Sequence, residues 1–257
     1  ADAWICLGLS QEHLGQWLLA TQSLARGLAL RPDKAVHWLI LGQCRRRVGD
    51  AKGALAAFDQ ALERDESLAD AWSARGSLMR EIGELQQAAM CFEKALANGA
   101  EPTLHQYYLA SVRGQDSPSA PPRLYVQSLF DDYAADFQAH LVQHLGYQAH
   151  ETLVRPLLES GRNFEAVLDL GCGTGLCGAL MRPLASAIDG VDVSSAMLEQ
   201  ARAGGAYRDL AHADLAAYLA ASRNRYDLVL AADVFIYVGA LETVFAEVCQ
   251  IGRASCR

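Results

Sequence analysis

The chain is predicted to be an α-helical repeat solenoid followed by an α/β domain built on a parallel sheet. Three observations predict this. Trp4, Trp38 and Trp72 recur at a spacing of 34 residues, Gly114 to Pro122 reads G-Q-D-S-P-S-A-P-P, and beyond Gly161 short apolar runs alternate with helical patterns. The first is the mark of a repeat array, the second of a linker, and the third of parallel strands joined by helical crossovers.

The repeat holds at further positions with the same offset: Gly8, Gly42 and Gly76; Gly15, Gly49 and Gly83; Ala20, Ala54 and Ala88; Leu24, Phe58 and Phe92. Each unit reads as two antiparallel helices. The small Gly8 and Ala20 equivalents let the helices approach, the Trp and Phe equivalents fill the space between them, and the units stack. Pro32 ends the first unit, whereas the third has Ser77 in its first helix and Gly99-Ala100 where the proline would stand. The period, the Trp-x-x-Leu-Gly starts at Trp4 and Trp38, and the later Ala and Phe together resemble the tetratricopeptide repeat family over residues 1 to about 99. That resemblance implies a groove for a protein or peptide partner; the alternative is a purely structural arm, since no groove residue can be singled out. A further helix, Glu101 to Arg113, is expected to cap the stack with Tyr107, Tyr108 and Leu109. The expected divisions are thus a repeat unit over 1–112 and a linker over 113–122.

From Arg123 a helical lead-in is expected, with Leu129, Tyr133, Phe137, Leu141 and Leu145 at spacings of four. His140 and His144 share one face of it, but Leu141 stands where a metalloprotease helix needs Glu, so no metal site is assigned. The strand and helix signals then alternate: A-V-L-D-L, a helix from Leu176, A-I-D-G-V-D-V, a helix from Ser195, A-Y-R-D-L-A-H, a short helix, Y-D-L-V-L-A-A, and a helix after Ala240. In such a sheet ligands sit beyond the carboxyl ends of the strands.

Composition narrows the function. A net charge of −8 disfavours nucleic acid, and the one basic run, Arg45-Arg46-Arg47, has no interleaved aromatics and reads as a solvated helix face. No run of eighteen apolar residues marks a membrane span. Seven cysteines without a C-x-x-C pair suit a reducing, cytoplasmic setting.

The stretch V-L-D-L-G-C-G-T-G-L-C-G, Val167 to Gly178, is the chemical centre. Glycines after a strand let the backbone approach a ligand, and the following helix offers free N–H groups. Two readings compete. Gly173-x-Gly175-x-x-Gly178 is a dinucleotide fingerprint, and Gly171-x-Gly173-x-Gly175 is a different loop. Asp192, 19 residues after Gly173, grips ribose hydroxyls in either case. Asp169, an acid inside an apolar strand, needs a polar ligand or glycine-loop amides to satisfy it, and Asp214 follows the third strand.

V-L-D-L-G-C-G-T-G, G-V-D-V-S-S-A-M-L-E-Q-A, H-A-D-L and Y-D-L-V-L-A-A-D-V-F-I-Y-V, in that order, resemble the motifs of class I S-adenosylmethionine-dependent methyltransferases. With L-F-D-D-Y-A-A-D-F and L-G-Y ahead of them, they look like bacterial predicted methyltransferases that carry tetratricopeptide repeats. The resemblance implies a Rossmann-like domain over 123–250 and S-adenosylmethionine as cofactor. It implies that Asp169, Gly171, Gly173 and Gly175 face the methionine and ribose part, Asp192 binds the ribose, and Met197 flanks the adenine. Asp214 and the Leu215 backbone would then meet the adenine amino edge, Asp233 would stand near the methionine end, and Tyr133 would close over the site. Asp233, Tyr237 and His212 are the candidates for a general base, though Tyr237 and His212 also read as packing or loop residues.

A cofactor-binding scaffold without catalysis and a nicotinamide dehydrogenase are the alternatives, the latter disfavoured by Asp169, Asp214 and the fourth-strand motif. The pattern stops after four strands, short of the family's usual sheet, and I-G-R-A-S-C-R, residues 251–257, resembles a translated sequencing adapter. The expectation is a partial domain with a non-native tail, itself inactive, from an active methyltransferase.

Overall fold

The computed structural model describes residues 1–114, 120–134, 137–239 and 241–252, and divides into two compact units, 1–118 and 119–257. Half of the expected linker, 115–119, and the last five residues of the tail lie outside the described residues.

The first unit is a tetratricopeptide-like stack of helical hairpins: α1 (Asp2–His13) with α2 (Trp17–Leu30), α3 (Ala35–Arg47) with α4 (Ala51–Arg64), and α5 (Ala69–Glu81) with α6 (Leu85–Ala97). Gly15, Gly49 and Gly83 turn each hairpin at φ of 70°, 81° and 85°, a region closed to most side chains. Close approach explains the other glycine series. A Cβ on Gly42 would lie 2.4 Å from the Phe58 ring, one on Gly76 2.8 Å from Phe92, and one on Gly8 2.6 Å from Leu24. Phe58, Phe92 and the alanines at 20, 54 and 88 are fully buried.

The tryptophans fill the margin of the interior: Trp4, Trp38 and Trp72 are half-buried, Trp38 and Trp72 packing against the buried clusters, with Arg26, Arg64 and Lys94 over the three rings at 4.8, 5.0 and 5.7 Å. The indole N–H groups of Trp38 and Trp72 donate to the carbonyls of Pro32 and Glu66, so these rings pin the loops between units. The capping helix is α7 (Pro102–Arg113), opened by Pro102 and the Glu101 side chain; Tyr108 stacks on Phe92 at 4.9 Å. Each member of the basic run has a partner within the stack: Arg45 donates from Nη1 to the Gly53 carbonyl, Arg46 pairs with Glu81 and Arg47 lies over Trp17.

In the second unit, α8 (Arg123–Tyr133), a π-helical segment (Ala139–His144) and α9 (Ala149–Ser160) precede an alternating core. That core runs β1 (Phe164–Leu170), α10 (Leu176–Met181), β2 (Ala185–Asp192), α11 (Ser195–Gly204), β3 (Asp209–His212), α12 (Leu215–Ala221), β4 (Leu228–Ala231) and α13 (Leu241–Ile251). The described residues of the lead-in are thus helical, as expected, with a π-helical turn in their second half. The described sheet is parallel in the order β3-β2-β1-β4, with Asp169 opposite Gly190 on one side and Leu230 on the other. Alternation along β1 feeds two cores: Ala166, Leu168 and Leu170 pack with Leu215, Leu219 and Tyr226, and Val167 packs with Val154, Met181 and Ile188. The chain leaves β1 for strands on opposite sides, which opens a crevice at the carboxyl end of β1.

Four hydrogen bonds hold the lead-in against this core. Asp131 accepts from the Ser194 hydroxyl (2.6 Å) and the Ala196 N–H at the start of α11, Gln138 donates to Thr174 (3.0 Å), and Gln200 donates to the Ala134 carbonyl. The acid also complements the positive end of α11.

Candidate functional site

β1 ends in three glycines whose φ values are 64°, 52° and 92°, and each has its own reason. A Cβ on Gly171 would lie 2.4 Å from Val234 after β4, and one on Gly175 would lie 3.0 Å from the Tyr207 ring. At Gly173 nothing lies within 4 Å, so its backbone borders open space.

That space is a cavity of about 800 Å3 beyond the strand ends. It is lined by Asp169, Gly171, Gly173, Asp192, Met197, Asp214, Leu215, Asp233, Tyr237 and Tyr133, from every motif singled out in the sequence. Two predicted residues are not among those lining it. Gly175 turns toward Tyr207, and His212 donates or accepts a 2.8 Å bond with the Val193 carbonyl and braces the loop after β2. His212 is thereby set aside as a general base. His140, on the other expectation, shares a hydrogen bond with the Tyr133 hydroxyl, and among the described residues no group of three or more His, Cys, Asp or Glu could hold a metal ion.

The acids are held differently. Asp192, 7% exposed, accepts from the Gly173 N–H (2.9 Å) and the Ser194 N–H (2.8 Å), and so ties the glycine loop to the end of β2. Burial raises its pKa against the pull of those amides. Asp169 is 1% exposed and accepts from the Tyr207 hydroxyl at 2.7 Å. Glycine-loop amides do not satisfy it, as the sequence reading allowed; a tyrosine does. Burial pushes its pKa up to about 7, eased by that hydroxyl and reinforced by the Asp192 charge. Asp214 caps α12 by accepting from the Ala217 N–H (3.1 Å), which leaves the amide of Leu215 at the helix start without an intrahelical partner. Asp233 has φ of 52° just beyond β4, a conformation costing a non-glycine residue about 1 kcal/mol or more.

Residues 167–254 match the family model described as a methyltransferase domain. The second unit carries a methyltransferase domain. Over 60 residues the chain is 40% identical to malonyl-[acyl-carrier protein] O-methyltransferase of Salmonella typhimurium, a match spanning 23% of this chain and only 24% of that protein's length. Solved structures similar to the chain include the type III secretion chaperone SycD of Yersinia enterocolitica in complex with a peptide of YopD. It is 18% identical, with a TM-score of 0.42 over 44% of this chain and 91% of that one. The second TPR domain of human RPAP3 in complex with an HSP70 peptide is 21% identical, with a TM-score of 0.39 over 41% and 88%.

The methyltransferase domain also places residues in or against the cavity that sequence reasoning missed. Tyr207, in the loop before β3, was read only as part of a strand pattern; it packs against Gly175, Gly178 and Gly190. Gly178 is small because a Cβ there would lie 2.4 Å from the Tyr207 hydroxyl. His150, on α9, is 7% exposed and lines the cavity, and its Nδ1 has no hydrogen-bond partner. Its ring stacks on Tyr147 at 5.4 Å, and Tyr147 in turn faces Asp233, whose charge and the surrounding burial hold the phenol protonated. Tyr147 belongs to the L-G-Y signature, but no sequence spacing links it or His150 to the strand ends, so only the fold could place them at the cavity. Phe130 meets Tyr237 edge-on at 5.2 Å, and burial raises the Tyr237 pKa.

Proposed function

We propose that the protein transfers a methyl group from S-adenosylmethionine to an acceptor held in the same cavity, and that the repeat stack engages a protein partner. The observation that carries the cofactor reading is the convergence of Asp169, Asp192, Asp214 and the open Gly173 backbone on one cavity. The residues fit the group. A left-handed glycine with no neighbour within 4 Å admits a ligand against its backbone, and Asp192 keeps acceptor capacity on both oxygens for ribose hydroxyls. Met197 and Leu215 provide buried apolar surface for a base, with Asp214 and the Leu215 amide at its polar edge. Asp169 and Asp233 suit the amino-acid end, and Tyr133 on α8 covers the site.

When bound, the cofactor supplies an electrophilic methyl group, so the protein's part is to align an acceptor in line with it and exclude water. Phe130, Tyr237, Tyr147 and Val238 form an apolar wall suited to that exclusion. His150, whose ring lines the cavity and whose Nδ1 is buried without a partner, joins Asp233 and Tyr237 as a candidate to take a proton from the acceptor.

Transfer of labelled methyl from S-adenosylmethionine into the protein and small-molecule fractions of a cell extract tests this, with malonyl-acyl-carrier protein as a first defined acceptor. Loss of labelling when residues 1–118 are removed supports recruitment by the repeats. Calorimetric binding of NAD without binding of S-adenosylmethionine refutes the cofactor reading, and cofactor binding without transfer to any fraction favours a scaffold.

A further inference from the structure

Resting on the cofactor reading above, we infer that Tyr207 is a positioning residue: its hydroxyl holds one oxygen of Asp169 so that the other receives the cationic amino-acid end of the ligand. Three observations carry it. The Asp169 carboxylate is buried at the end of β1, and Tyr207 Oη donates to its Oδ2 at 2.7 Å. Its Oδ1 has no partner among the described residues and is not a fully enclosed atom, which leaves it toward the cavity that Asp169 lines. The charged groups acting on Asp169 and its neighbours are acids, Asp192 and Asp233, with the thiols of Cys172 and Cys177 beside them. A buried carboxylate with a single neutral donor and no cation is costly, and a ligand ammonium removes that cost on binding.

The backbone around Tyr207 is shaped for the tyrosine. Ideal Cβ atoms at Gly175, Gly178 and Gly190 would approach its ring or hydroxyl to 3.0, 2.4 and 3.0 Å. Gly190 stands directly opposite Asp169 in the β1–β2 ladder, so its missing side chain is what lets the phenol reach across to the carboxylate. Gly175 in the loop, Gly178 on α10 and Gly190 on β2 therefore make room for Tyr207, and through it serve the charge of Asp169, while Gly173 serves the ligand.

The test is calorimetric binding of three ligands to the protein and its Tyr207→Phe variant at pH 8: S-adenosylmethionine and S-adenosylhomocysteine, which carry the amino-acid end, and methylthioadenosine, which lacks it. Loss of one hydrogen bond to a charged group predicts about tenfold weaker binding of the first two, with methylthioadenosine changed by less than about twofold. In a double-mutant cycle Tyr207→Phe has no further effect on S-adenosylmethionine once Asp169→Asn is present. Equal weakening of all three ligands shows a general packing role and overturns the inference, as does no change in any. Failure of the unaltered protein to bind all three refutes the cofactor reading itself and this inference with it, so the two failures are distinct.

Discussion

Asp169→Asn should make the methyltransferase domain more stable, and by an amount that grows with pH. The Asp169 pKa stands at about 7 in the folded protein against 3.8 ordinarily, chiefly through burial. The folded chain therefore keeps a proton that the unfolded chain has lost, and stability falls as pH rises from about 4 to about 7. With each pKa unit carrying about 1.4 kcal/mol, the cost of Asp169 is about 1.5 kcal/mol at pH 5 and about 4 kcal/mol at pH 8. Asparagine keeps the shape and can accept from Tyr207, yet carries no charge. The gap between variant and parent should widen by about 2.5 kcal/mol between pH 5 and pH 8. All four tryptophans, Trp4, Trp17, Trp38 and Trp72, lie in the first unit, so indole fluorescence does not report on the second. Pulse proteolysis in urea, with fragments of the second unit read by mass, does report on it. A gap that stays the same from pH 5 to pH 8 would refute the reasoning, because Asp169 would then be ionised in the folded chain already at pH 5.

Phe58→Ala, which empties a fully buried ring site against Gly42, should cost about 3–5 kcal/mol, read in the same urea series by tryptophan fluorescence. Gly173→Ala and Gly178→Ala should separate ligand from scaffold. The first, at φ of 52° beside open space, costs about 1–2 kcal/mol of stability and a larger share of S-adenosylmethionine affinity by calorimetry. The second, which drives a methyl into Tyr207, costs about 1–3 kcal/mol by overpacking and shows mainly in proteolysis. His150→Gln should leave calorimetric S-adenosylmethionine binding within about twofold while lowering methyl transfer about a hundredfold, the usual scale of lost general-base catalysis; unchanged transfer would remove His150 from the chemistry.

The repeat period was legible because each copy repeats the same contact: a glycine at one position is only useful if a large residue returns 16 positions later, as Gly42 with Phe58 and Gly76 with Phe92. Trp4, Trp38 and Trp72 carried the same period, yet the cations over their rings were not legible, because a large apolar residue looks alike in sequence whether or not a cation also covers it. The four-residue spacing made the lead-in legible as helix and was silent about its tethers, since Asp131 and Gln138 bond to residues at the start of α11 and in the glycine loop.

By itself the sequence determined the order of strands and helices, the glycine-lined turn after β1, and the acids at successive strand ends, since these follow from local periodicity and backbone requirements. Tertiary structure decided which groups meet. Tyr207 reaches Asp169 from 38 positions away, and His150 enters the cavity from a helix that precedes every strand. The glycines at 175 and 178 are accounted for by Tyr207, and that at 190 by Tyr207 with Leu210 and Cys172, partners that no local pattern could pair with them, because packing partners in a parallel sheet are set by crossovers and not by neighbours in the chain.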